Sequence, residues 1–150
     1  MDVKTAFLNG ILKENIYMKV PDGFVKTNNV VCKLNKFLYG LKQSSRCWYK
    51  CFNNVLIEKG FVNSSADNCL YFLNRGDLNK NIYVLLYVDD LVIATKDLNT
   101  MNNFKRFLMK QFDMTELKEI NYFLGIRINK SNSEISLDHI FKIYLKKKLI

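Results

Sequence analysis

The sequence predicts an α+β fold: an antiparallel sheet with helices on one face. Three observations carry that reading. Short apolar or alternating segments are bounded by Gly, Asn and Asp clusters, as strands and turns require. Two longer segments repeat their apolar residues at helical spacing. The two kinds are interleaved without the regular strand–helix alternation of a parallel sheet. With 150 residues, 49% of them hydrophobic, and one proline (Pro21), the chain suits a single domain over 1–150 with a real core.

From the N-terminal end, DVKTAFL (residues 2–8) reads as the end of a strand passing into a turn at Asn9-Gly10. NIYMKV meets the turn signal Pro21-Asp22-Gly23, and VVCKL follows, which makes a hairpin. A helix is expected from Ser44 or Ser45 to Lys59, capped by serine and stopped by Gly60. Its buried face would hold Trp48, Cys51, Phe52, Val55 and Leu56. CLYFLN and NIYVLLYV are strands about the polar loop RGDLNK, and LVIAT is a third. Residues 97–112 form an amphipathic helix with Leu98, Met101, Phe104, Leu108 and Phe112 inward. YFLGIRI and EISL make a last pair of strands about residues 130–133, and a basic helix with Lys146, Lys147 and Lys148 runs from Asp138 onward. There is no internal repeat, low-complexity tract or linker.

Charge and cysteines narrow the function classes. Lys and Arg number 23 against 14 Asp and Glu, a net charge of +9 that fits a polyanionic partner. Lysine (19) and asparagine (18) are both abundant, as an A+T-rich gene would also produce, so the charge supports nucleic acid only weakly. The four cysteines form no C-x-x-C pair and His139 is the only histidine, which argues against structural zinc and for reduced thiols in an intracellular protein. The longest apolar run, residues 82–88, has seven residues, far short of a membrane span, and no secretory leader is recognised.

One stretch is chemically unusual. In NIYVLLYVDDLVIAT, Asp89 and Asp90 interrupt an apolar run, and buried carboxylates need a compensating partner. If the flanking segments pair, the two acids form the hairpin tip, where Asp is well tolerated. An ordinary Asp-rich turn is the plain reading. Both arms, however, are apolar on both faces, as in central strands of a covered sheet, so acids at their tip suit a metal platform. Magnesium prefers carboxylate oxygens and shares substrate phosphates, and two such ions serve in-line phosphoryl displacement. A further acid is needed, and Asp2 is the attractive candidate.

YVDDL resembles the Y-x-D-D motif of reverse transcriptases, and DVKTAFLNG resembles the strand that supplies their other metal-binding aspartate. LYGLKQSSRCWY (residues 38–49) is similar to the L-Y-G-L-K-Q-S-P-R-x-W-Y stretch of copia-type LTR retrotransposon polyproteins. SSADNCLYF resembles the segment leading into the catalytic hairpin, and YFLGIRI the primer-grip strand. These matches occur in family order over nearly the whole chain. The resemblance implies a reverse-transcriptase palm with partial fingers and the start of a thumb, truncated at both ends. Most of the fingers and thumb, the ribonuclease H domain, the integrase and the protease would be absent.

Carried over by residue, the resemblance implies that Asp2 and Asp89 hold two Mg2+ ions, that Asp90 completes the acidic cluster, and that the Val3 carbonyl adds a ligand. Backbone near Thr5 and Ala6 would face the triphosphate, and Phe7 would be the aromatic gate against a ribose 2′-hydroxyl, although its plain reading is a core phenylalanine. Gly40 would permit close approach of substrate, with Lys42, Gln43 and Arg46 positioning template or nucleotide. Tyr87 and Val88 would lie against the primer terminus and Gly125 against the primer backbone. Ser45 departs from the family's proline. The implied partners are an RNA or DNA template with primer, a deoxynucleoside triphosphate, and the rest of the Pol polyprotein, in a cytoplasmic particle or nucleus and without a membrane. Two rivals stand beside this reading. One is a catalytically inactive transposon remnant that at most binds nucleic acid. The other is an unrelated magnesium phosphohydrolase, which expects residues 38–49 to lie far from the carboxylates.

Overall fold

The alternation of apolar residues along each strand decides the architecture. In the computed structural model, residues 1–24, 30–117, 119–130 and 135–138 are described. They belong to two units, Met1–Thr115 and Glu116–Ile150. The first contains β1 (Asp2–Val3), a 3-10 turn (Ala6–Asn9), β2 (Tyr17–Lys19), β3 (Val31–Lys33) and α1 (Ser44–Glu58). It continues with β4 (Val62–Asn63), β5 (Leu70–Leu73), β6 (Ile82–Tyr87), β7 (Asp90–Ala94), α2 (Leu98–Gln111) and β8 (Met114–Thr115). Six of these strands form one sheet in the order β4-β5-β6-β7-β1-β8, with every neighbouring pair antiparallel. The mixed α+β class read from the sequence is therefore the observed one.

Register assigns the faces. Tyr71 pairs with Val84 and Val84 with Ile93, Leu86 pairs with Leu91, and Val3 pairs with Met114. Directly opposed residues share a face, so these side chains line one side of the sheet. The helices supply Trp48, Phe52 and Leu56 from α1 and Phe104 and Leu108 from α2 to the same core. Phe52 lies 6.1 Å from Tyr71 and 5.7 Å from Phe112, while Phe104 lies 5.0 Å from Phe61. Among the described residues of the first unit, none covers the opposite face as the double-sided apolar pattern implied. Tyr83 and Tyr87 on β6 are about half exposed there, and tyrosine tolerates that position because its hydroxyl remains wet.

The helices end as their sequences dictate, with two differences. Gly60, at φ 94, closes α1 with Phe61 N–H on the Leu56 carbonyl and Gly60 N–H on that of Ile57, the Schellman arrangement. The expected serine cap is absent: Gln43 occupies the cap without a side-chain bond to the helix, and Ser44 Oγ donates to the Leu38 carbonyl at 2.6 Å. Asp97 caps α2 by accepting the Thr100 N–H at 2.7 Å. Leu98 is exposed rather than inward. The buried stripe is Thr100, Phe104 and Leu108, and Leu98 lies two residues, about 200°, from its start.

Two further expectations change. The strand at Asp2 is only two residues long, because Thr5 turns left-handed at φ 50 and Ala6 and Phe7 coil into the core. In the second unit, YFLGIRI is a hairpin, not one strand. β9 (Tyr122–Phe123) and β10 (Ile126–Lys130) pair across Leu124 and Gly125, at φ 52 and 79, the two positive angles of a type I′ loop. β10 then pairs with β11 (Ile135–Asp138) as expected for EISL. The expected hairpin of β2 and β3 is present, with residues 25–29 outside the described set. The expected basic helix beyond Asp138 also lies outside it. All four cysteines are free, and no helix among the described residues is long and apolar enough to cross a membrane.

Candidate active site

The β6–β7 connection is built by the core register. With Leu86 opposite Leu91 on the helix side, Tyr87 and Asp90 become the last pair, leaving Val88 and Asp89 as a two-residue loop. The tip thus sits one residue earlier than the expected Asp89-Asp90. Val88 has φ 55, so the loop is positive at its first position, where a type II′ turn favours glycine. A β-branched residue is strained there. Hydrogen bonds hold it from both sides: Trp48 Nε1 donates to the Val88 carbonyl, and the Val3 N–H donates to the Asp89 carbonyl at 2.8 Å.

The second of these bonds draws β1 alongside β7 and sets Asp2 directly opposite Asp90. Val3 is buried against the helices, so Asp2 and Asp90 project from the open face. The electrostatics show that the three acids share a field. Burial first, then the charges of Asp89 and Asp2, push the Asp90 carboxyl up from its ordinary value. Tyr39 Oη donates to Asp89 Oδ2 at 3.1 Å. Burial, the bond to Asp89, and the Asp89 and Asp2 charges push that phenol up as well. Among the described residues, no lysine or arginine pairs with Asp2, Asp89 or Asp90.

Carboxylates that repel one another and pair with no lysine or arginine, although the N-terminal ammonium acts on Asp90, are suitable donors for a divalent cation. Among the described residues, no three His, Cys, Asp or Glu side chains gather closely enough to hold an ion by themselves. Magnesium does not demand such a cage, since it keeps waters and shares phosphates with one or two carboxylates. The donor chemistry fits the ion.

The other residues singled out from sequence are placed as follows. Thr5 is exposed, Ala6 is fully buried and Phe7 is 8% exposed, so Phe7 belongs to the core on burial alone. Its ring nevertheless lies 4.2 Å from that of Tyr39, beside the acids. Gly40 has φ 94 at the third position of the turn from Leu38 to Leu41, which a type II turn requires of glycine. Among the described residues, chain neighbours aside, no atom comes within 4 Å of a Cβ built there, so the requirement visible in the chain is conformational. Lys42 and Arg46 are exposed. Gln43 Nε2 donates to Glu14 at 2.9 Å. Tyr87 and Val88 are exposed at the hairpin end. Gly125 is the turn glycine of the second unit's β9–β10 hairpin.

Tyr39 was not singled out from sequence, and Trp48 was read only as core. The turn signal at Gly40 was legible, but nothing local shows a phenol reaching a carboxylate 50 positions away. These contacts decide one rivalry. The phosphohydrolase reading expects residues 38–49 to lie far from the acids, yet Tyr39 and Trp48 touch Asp89 and Val88.

Comparison with known proteins gives the class. The family model "Reverse transcriptase (RNA-dependent DNA polymerase)" matches residues 1–148. The chain belongs to this reverse transcriptase family. Its relatives are copia-type retrotransposon Pol polyproteins. It is 42% identical over 132 residues to the Retrovirus-related Pol polyprotein from transposon RE1 of Arabidopsis thaliana, covering 87% of this chain and 9% of that one. It is likewise 42% identical over 139 residues to the Retrovirus-related Pol polyprotein from transposon TNT 1-94 of Nicotiana tabacum, covering 91% and 10%. The putative transposon Ty5-1 protein of Saccharomyces cerevisiae is 39% identical over 148 residues, with 95% and 47% covered. The chain thus spans about a tenth of the length of the two plant polyproteins. No solved structure matches it.

Proposed function

We propose that residues 1–150 are part of one reverse-transcriptase domain: a palm, with partial fingers and the start of a thumb, that carries the site of an RNA-directed DNA polymerase. The observation that supports this most is the direct opposition of Asp2 and Asp90 on the open face, with Asp89 at the adjoining turn. In the reaction, a primer 3′-hydroxyl gives up its proton to water and its oxygen bonds to the α-phosphorus of a deoxynucleoside triphosphate. The bond from that phosphorus to the bridging oxygen breaks, and pyrophosphate leaves. Asp2 and Asp89 would hold two Mg2+ ions, with Asp90 completing the cluster and the Val3 carbonyl adding an oxygen. Bound there, magnesium supplies activation of the attacking hydroxyl and neutralisation of the leaving charge.

The chain's own part is positioning. By the family resemblance, the backbone near Thr5 and Ala6, where the 3-10 turn opens, would face the triphosphate. Phe7 presents a rigid ring where a 2′-hydroxyl would stand. Lys42 and Arg46 are free to meet phosphate in solvent, and Gln43 would exchange Glu14 for template or nucleotide. Tyr87 and Val88 would flank the primer end, and Gly125 would let the primer backbone pass. The natural context is a longer Pol polyprotein, as the Pol relatives support, and this reading adds ribonuclease H, integrase, a primed RNA or DNA template and a cytoplasmic particle or the nucleus.

The test is magnesium-dependent extension of a primed RNA template by this chain within its polyprotein context. The parent is expected to extend and Asp89→Asn to lose extension while keeping its melting temperature. Equal extension by both removes the assigned role. Extension by neither, with template still bound, identifies a silent remnant.

A further inference from the structure

Tyr39 stands outside every role assigned so far, and its surroundings are unusually determined for a residue 56% exposed. Gly40 at φ 94 sets the turn that presents it, and buried Ser44 clamps that turn through the 2.6 Å bond to the Leu38 carbonyl. Its ring rests on Phe7 at 4.2 Å, and Phe7 is itself fixed in the core. A phenol held in this way has little rotational freedom. Its hydroxyl ends at Asp89 Oδ2, 3.1 Å away.

We infer that Tyr39 is a positioning residue that orients the Asp89 carboxylate toward a divalent cation and ties that orientation to Phe7. This rests on the polymerase reading above. Asp89 lies in a two-residue turn beside the charges of Asp2 and Asp90. Left alone, it would swing toward solvent to escape their repulsion. One phenolic donor engages a single lone pair of Oδ2. The carboxylate offers about four such sites, so the rest stay available to a cation. Partners of this kind typically contribute about 10- to 100-fold to metal affinity. The same phenol stands on Phe7, so a shift of that ring would reach Asp89 through one side chain.

The experiment is Mn2+ binding to the purified chain, read as loss of the free-ion paramagnetic resonance signal, for the parent, Tyr39→Phe and Asp2→Asn. Melting curves are taken in metal-free buffer. Tyr39→Phe keeps the ring on Phe7 and removes only the donor. It is expected to weaken Mn2+ binding about tenfold, with a melting temperature close to the parent's. Parental affinity in Tyr39→Phe overturns the inference and leaves the polymerase reading standing. A fall in melting temperature that accounts for the lost binding overturns it too, assigning Tyr39 a packing role. A parent that binds no Mn2+, or that binds as well after Asp2→Asn, overturns both the inference and the carboxylate site beneath it.

Discussion

Replacing Val88 with glycine should stabilise the fold and impair its chemistry. Val88 sits at φ 55 in the loop between Tyr87 and Asp90. A β-branched residue in this region costs about 1–3 kcal/mol. Glycine removes that cost but gives back about 0.5–1 kcal/mol of chain entropy. The side chain is 39% exposed, so its deletion also forfeits about 1 kcal/mol of apolar burial. With strain at the upper end of its range the balance is a gain of about 1 kcal/mol, equivalent to a rise of about 2–4 °C in melting temperature for a chain of this size. The strain persists because Trp48 Nε1 and the Val3 N–H grip the two loop carbonyls. Val88→Gly also frees the backbone that aims Asp89, so extension should fall as stability rises. Thermal denaturation by circular dichroism and the extension assay measure the two effects. A variant that melts at or below the parent's temperature refutes the strain argument.

Three other outcomes are expected. Phe7→Val should raise ribonucleotide incorporation relative to deoxynucleotide by roughly tenfold or more in competition assays, the scale of a lost steric contact; unchanged sugar choice removes the gate. Gly10→Ala places a Cβ 2.9 Å from Cδ2 of the buried Phe37 ring and should cost about 1–3 kcal/mol in denaturant unfolding. The bonds from Thr100 depress the Asp97 carboxyl, so its contribution is present above the unfolded value, 3.8, and is lost as pH falls through the lower folded value. Asp97→Asn should therefore flatten the acid limb of the stability curve below that pH while retaining a cap at neutrality.

Legibility followed the range of the interactions. The stripe of Trp48, Phe52 and Leu56 and the stop at Gly60 are local, and each could be read from neighbouring residues, whereas Asp97, expected inside its helix, is the cap. Hairpin register was less legible. The true tip, Val88-Asp89, follows from Leu86 meeting Leu91, a pairing set by the helices beneath. The fold-back of YFLGIRI needed two positive φ values, and only Gly125 announced one of them; Leu124 gave no sign. The pairs β4 with β5 and β1 with β8 involve strands of two residues, too short for any periodicity. At the site, the acids were visible as charges in apolar surroundings, but Tyr39 was not, because its role exists only after residues distant in the chain meet.

The central claim is that Asp2, Asp89 and Asp90 serve one metal-dependent centre. An anomalous difference map from crystals of the domain grown with Mn2+, primed template and a non-hydrolysable deoxynucleotide tests it most directly. The expected result is Mn2+ within about 2–2.5 Å of Asp2 and Asp89 oxygens, with Asp90 beside them. Metal bound elsewhere, or Asp2 turned away from it, would contradict the account.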